Sequence, residues 1–128
     1  MSKSFLLIAS TIISINFGCR KKDNCFESKQ AFVDVKLNKD TFNINEKIPL
    51  NFTVYGNNGC ATNPKILITE ELGKKFRINS TIEYNGCMCL QYLPSFSLIE
   101  YLFINDTGNY QIIYSNLENT KFLNVYIK

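Results

Sequence analysis

Between residues 48 and 55 the chain places Ile48, Leu50, Phe52 and Val54 at every second position, with Pro49, Asn51, Thr53 and Tyr55 between them. Successive side chains of a strand point to opposite faces, so this run buries one coherent face only as a β-strand. Val33, Val35 and Leu37 repeat the pattern around Asp34 and Lys36. Residues 65–69, 76–84, 87–93, 98–104, 110–115 and 122–127 read as further strands, rich in the Ile, Val, Phe and Tyr that suit a pleated surface. Turn chemistry separates them: Gly56-Asn57-Asn58-Gly59, Asn63-Pro64, Leu72-Gly73, Asn85-Gly86, Pro94-Ser95 and Asp106-Thr107-Gly108. Seven or eight short strands at this spacing predict an all-β, antiparallel β-sandwich over residues 31–128. Pro49 has no N–H to donate, which assigns it to an edge or a strand start. No segment has helical periodicity, and there are no internal repeats.

The first residues follow a different rule. Lys3 is followed by residues 5–15, eleven uncharged and mostly apolar positions. A membrane-spanning helix needs about 20, so residues 1–18 are expected to be an export signal. Asn16-Phe17-Gly18-Cys19 resembles the lipobox of bacterial lipoproteins, in which a small residue precedes a cysteine that is diacylated before cleavage. Gly18 and Cys19 carry that match, while Asn16 and Phe17 depart from the usual residues. The resemblance implies lipidation at Cys19 and a membrane partner reached through an N-terminal lipid anchor. Residues 19–30 then read as lipidated cysteine and tether, because they lack any apolar period. Within them Arg20-Lys21-Lys22 would lie at head-group level, each adding about 1 kcal/mol of attraction to anionic lipid.

Asp106-Thr107-Gly108-Asn109-Tyr110 resembles the D-x-G-x-Y corner of immunoglobulin-like domains, where the tyrosine hydroxyl caps backbone at the turn into the penultimate strand. Asp106, Gly108 and Tyr110 are the corner residues, and the resemblance implies an immunoglobulin-like sandwich. The chain departs from antibody domains in having Ile112 where their second cysteine stands and no Trp. Asn58-Gly59-Cys60, Tyr84-Asn85-Gly86-Cys87-Met88-Cys89 and Asp106 to Tyr110 together are similar to a layout in small Bacteroidota-type lipoproteins. Those carry an immunoglobulin-like domain behind a lipidated cysteine and have no established activity.

With Cys19 in the anchor, Cys25, Cys60, Cys87 and Cys89 remain, an even number that predicts two disulfides in an exported protein. On a strand, Cys87 and Cys89 would be about 6.5–7 Å apart at their Cα atoms, the upper limit for a bridge. One is therefore expected to reach Cys60 and the other Cys25, with the assignment open. The competing chemistry is a thiolate site in which Cys60, Cys87 and Cys89 hold Cu(I) or Zn, or a redox role for the Cys87-Met88-Cys89 run.

Of 128 residues none is histidine, which excludes Ser-His-Asp and Cys-His catalysis and every His-containing metal site. A net charge of +3 is too mild for a nucleic-acid partner. Glu70 and Glu71, adjacent on a strand, point to opposite faces and form no acid–base pair; Glu83 stands alone. The sequence thus reads as a non-enzymatic lipoprotein of the bacterial envelope, without cofactor or metal. It is expected on the outer membrane facing the periplasm, its domain binding or supporting an envelope protein. The alternatives are metal or redox handling at the cysteines, and a protease-inhibitor-like β module.

Overall fold

A computed structural model describes residues 25–128; the expected export signal, Cys19 and the basic run after it lie outside the described residues. Nine strands follow one another, with no helix among the described residues: β1 (Phe26–Gln30), β2 (Phe32–Lys36), β3 (Thr41–Phe42), β4 (Ile48–Tyr55), β5 (Ala61–Glu71), β6 (Lys75–Asn85), β7 (Ser95–Leu102), β8 (Gly108–Ser115) and β9 (Thr120–Ile127). They form two sheets. The smaller is β2-β4-β7, antiparallel throughout. The larger runs β1-β6-β8-β9-β3, with β5 on the other flank of β6.

The alternation in β4 is met as expected, with Ile48, Leu50, Phe52 and Val54 at most 1% exposed. Val33 and Val35 of β2 and Leu102 of β7 extend that inner face. Opposite lie Phe76, Ile78, Ile82 and Tyr84 of β6, Tyr110 and Ile112 of β8, and Val125 and Ile127 of β9. Each such side chain contributes roughly 1.5–3 kcal/mol on burial, which makes this one layer the main source of stability. Pro49 stands before Asn51, where pairing with β2 begins, so its missing N–H falls at a strand start.

Four expectations need correction. There are nine strands, two more than the lower count, because β1 and the two-residue β3 carry no alternation to read. The larger sheet is mixed: β3 runs parallel to β9, and β6 runs parallel to β8 over Lys75–Arg77. The route from β6 to β8 passes through β7 in the other sheet, the long crossover that parallel neighbours require. Residues 26–30, read as tether, pair antiparallel with residues 81–85 of β6. Residues 87–93, read as a strand, form an irregular loop.

The chain changes sheets at Ala31. Its N–H donates to Ser80 O (2.9 Å), and the Ser80 hydroxyl donates to Ala31 O (2.7 Å). Ser80 is the one buried polar side chain among the described residues, and this bond satisfies it.

At the opposite end of β6, the hairpin at Leu72-Gly73-Lys74 meets the start of β8. Gly108 has φ of +136°, a conformation that side chains rarely adopt and that calls for glycine, and the end of the Lys74 side chain lies over it. The Lys74 ammonium donates to Thr107 O (2.7 Å), and the Tyr110 hydroxyl donates to Asp106 O (3.2 Å). Both long edges are blunted. β5 has an irregularity between Thr62 and Lys65, with Asn63 at φ 50° and Pro64 beside it. β7 carries Glu100 opposite Leu50 on its inner-facing row, a charge that discourages a further strand.

Tyr110→Phe keeps the ring and removes the hydroxyl bond, so denaturant unfolding is expected to show a loss of about 1 kcal/mol. Three phenols ionise late. Tyr55 is raised by donating to the Asp34 carboxylate (2.9 Å) and by burial, Tyr110 by burial and then by Asp106 and Glu70, and Tyr114 by burial and then by Asp34. A raised folded pKa favours the neutral form, so this stabilisation is complete below the unfolded value of about 10 and is lost as pH climbs through the folded values. Tyrosinate absorbance is expected to show a late phase that coincides with falling stability and shrinks in Tyr110→Phe.

Candidate functional site

The four cysteines of the domain meet at the end of the sandwich remote from the Tyr110 corner. Cys25 immediately precedes β1, Cys60 ends the loop at residues 56–60, and Cys87 and Cys89 lie in the loop at residues 86–94. Both expected disulfides are formed, as Cys25–Cys87 and Cys60–Cys89, with Cα separations of 4.9 and 5.2 Å. The pairing left open by sequence is thereby resolved.

The reason the 86–94 segment is not a strand is local. Gly86, at φ +138°, turns the chain out of β6, and a side chain there would meet the Cys60 sulfur. Cys87 then turns to the N-terminal segment and Cys89 to the 56–60 loop, which no continuous ladder could allow. Backbone bonds finish the arrangement. Gly86 N–H donates to Cys25 O (2.8 Å), Asn85 N–H to Cys60 O (3.1 Å), Gly59 N–H to Leu90 O (2.8 Å) and Gly56 N–H to Pro94 O (2.9 Å). The Asn58 side-chain oxygen accepts from Cys60 N–H (2.9 Å), and the Tyr84 hydroxyl from Asn57 N–H (2.8 Å). Two loops and the N-terminal strand are thus one cross-linked unit.

Between them is an open cleft of about 520 Å³, lined by Phe26, Glu27, Lys29, Asn57, Asn58, Tyr84, the Cys25–Cys87 bridge and Cys89. Lys29 forms an ion pair with Glu27 (3.3 Å) and lies 5.8 Å from the centre of the Tyr84 ring. Besides the Glu27–Lys29 ion pair the cleft offers the side-chain amides of Asn57 and Asn58 and the Tyr84 ring. Beside it the 86–94 loop exposes Met88 (95%), Leu90 (75%), Tyr92 (52%) and Leu93 (69%).

The remaining candidates sit elsewhere. Asp106, Gly108 and Tyr110 form the corner at the other end and touch no cysteine. Glu71 accepts from the Arg77 guanidinium (2.5 and 3.5 Å), which holds its carboxyl below the usual range. Glu83 accepts from the Asn63 amide (3.0 Å) and lies 3.8 Å from Lys65. Both acids are thereby tied into side-chain pairs along β5 and β6. Among the described residues no group of three or more His, Cys, Asp or Glu side chains is gathered as metal ligands. A sulfur in a disulfide is not a thiolate, so Cys60, Cys87 and Cys89 can ligate metal only once both bridges are reduced.

No protein family, curated protein or solved structure matches the chain. Sequence reasoning missed the part played by Phe26 and Lys29, because the strand bearing them is exposed along its whole length and has no apolar rhythm. Four cysteines converging from three segments were the available signal.

All five residues of β1 are exposed, so the ladder to β6 and the Cys25–Cys87 bridge are its fastenings. In the chain-entropy account a bridge spanning 62 residues contributes about 4 kcal/mol. Cys25→Ser combined with Cys87→Ser is expected to lower stability by up to that amount. Hydrogen exchange should become fast in residues 26–30 while β8 stays protected; equal loss of protection in both would contradict this assignment. Thiol titration of the unreduced chain should find none of the four domain cysteines free.

Proposed function

We propose that the chain is a non-enzymatic, lipid-anchored lipoprotein of the bacterial envelope, carried on the outer membrane facing the periplasm, and that its sandwich is an immunoglobulin-like binding or structural module. The observation that carries this reading is the cysteine count. The domain's four cysteines are consumed by two disulfides, leaving Cys19 as the odd one, directly behind an apolar leader. Paired cysteines belong to oxidising compartments, and an unpaired one at the start of an exported chain needs another fate. Acylation supplies it.

The immunoglobulin-like assignment draws support from the bond of the Tyr110 hydroxyl to Asp106 O, from the sheet switch at Ala31 and from the final β8–β9 pair. It is a variant of that plan, since β6 stands parallel beside β8 where antibody-type sheets are antiparallel. β5 and β7 are blunted against strand addition, which leaves the loops at the two ends of the sandwich as the contact surfaces of a binding module.

Mass spectrometry of the mature N-terminus tests the anchor: diacylglycerol on Cys19 is the expected result, and an unacylated or uncleaved N-terminus overturns the proposal. In fractionated cells, Cys19→Ser is expected to move the protein from the membrane pellet to the soluble or secreted fraction. Crosslinking at native abundance should then capture an envelope protein.

A further inference from the structure

Where the chain enters the domain fixes which end can face a membrane. Cys25 opens the described residues and is bonded to Cys87, their Cα atoms 4.9 Å apart. Cys25 is six positions after Cys19, and a fully extended chain spans at most about 3.6 Å per residue, roughly 20 Å in all. A lipid on Cys19 therefore confines Cys87, and the loop that contains it, to a thin layer above the head groups. The opposite end of the sandwich is a full strand length further away.

The 86–94 loop at this confined end presents apolar side chains. No charged residue occurs in either loop there, residues 56–60 or residues 86–94. Met88 and Leu90 project with 95% and 75% exposure, and Leu93 with 69%. The far hairpin differs: Leu72, although 98% exposed, is a single apolar residue among Glu70, Glu71, Lys74 and Lys75. The apolar loop is also held in shape by Cys25–Cys87, Cys60–Cys89 and the bonds from Gly59 and Gly56, so little ordering is left for binding to impose.

We infer that residues 88–93 are a second membrane contact, their side chains entering the lipid interface beneath the domain. This rests on the anchored reading, since it is the short span from Cys19 that brings the loop to lipid. The anchor and loop together would hold the domain upright, with the Tyr110 corner pointing away from the membrane.

The chain has no Trp, so a single introduced Trp is an unambiguous reporter. Met88→Trp, Leu90→Trp and, as the far-end reference, Leu72→Trp alter exposed positions. Each variant carries a hexahistidine in place of residues 1–19. It is held by nickel-chelating lipid on vesicles of phosphatidylethanolamine and phosphatidylglycerol containing brominated phosphatidylcholine. Quenching of Met88→Trp and Leu90→Trp severalfold stronger than that of Leu72→Trp, with a blue-shifted emission, is the expected result. Equal weak quenching of all three overturns the inference and leaves the loop to a protein partner. A blue shift that needs no vesicles and grows with protein concentration overturns it in favour of a second copy of the chain. Because the tag replaces the natural anchor, these results are independent of acylation, which the N-terminal mass spectrum reads separately.

Discussion

The burial of one face of β4 is the constraint to which the larger part of this structure answers. Ile48, Leu50, Phe52 and Val54 need an apolar layer opposite them, and β6, β8 and β9 supply it from a second sheet. Once that layer exists, register is fixed, because a slip of one residue would turn each apolar set to solvent. Pairing of β4 with β7 then aligns Leu50 with Glu100, and the inner row can carry a charge only because β7 is an edge. The mixed pairing of the larger sheet is tolerated for the same reason. What matters to the core is which face β6 and β8 present, and Phe76 and Ile112 meet that need whether the strands run parallel or antiparallel.

The core does not hold the ends. At one end, hydrogen bonds and charges close the structure: Lys74 on Thr107 O, Tyr110 on Asp106 O, and Glu46 accepting from Lys39 (2.7 Å) and Asn43 N–H (2.7 Å). Covalent bonds do this work at the other. β1 buries nothing, and a solvated five-residue strand contributes little by itself, so the Cys25–Cys87 bridge makes it a lasting part of the sheet. Ala31 and Ser80 fasten its far end. The strand is thereby clamped at both extremities, and its middle residues, Glu27, Ser28 and Lys29, are exposed.

This division explains what could be read from the sequence. Where a strand had one buried face, as in β2, β4, β6, β8 and β9, alternation revealed it. β1 was hidden because its pairing uses only backbone and sulfur. The 87–93 run deceived in the opposite way: Met88, Leu90 and Tyr92 alternate as if on a strand, but their apolar character serves no core. Two bridges leading from Cys87 and Cys89 to different segments override local preference there, and no local pattern encodes them. At the candidate site the cysteines themselves were legible, together with the need for each of the close pair to reach elsewhere. Their partners were not, since Cys25 and Cys60 are brought near only by the sheet switch at Ala31 and the β5–β6 pairing.

The same dependence links the fold to its compartment. A bridge spanning 62 residues, worth about 4 kcal/mol, is large beside the 5–15 kcal/mol typical of a whole domain. Under reducing conditions the chain forfeits that share, and the N-terminal strand loses its outer clamp. The sandwich layer keeps its apolar burial, while β1 is left to its backbone ladder with β6. On the exported reading Cys25 and Cys87 are thiols in the reducing cytoplasm. On the exported reading, closure of Cys25–Cys87 therefore follows translocation and draws the anchor-proximal residues onto the domain. On that same reading the cystine end acquires its rigidity only in the oxidising compartment, where the proposed lipid contact of its apolar loop would lie.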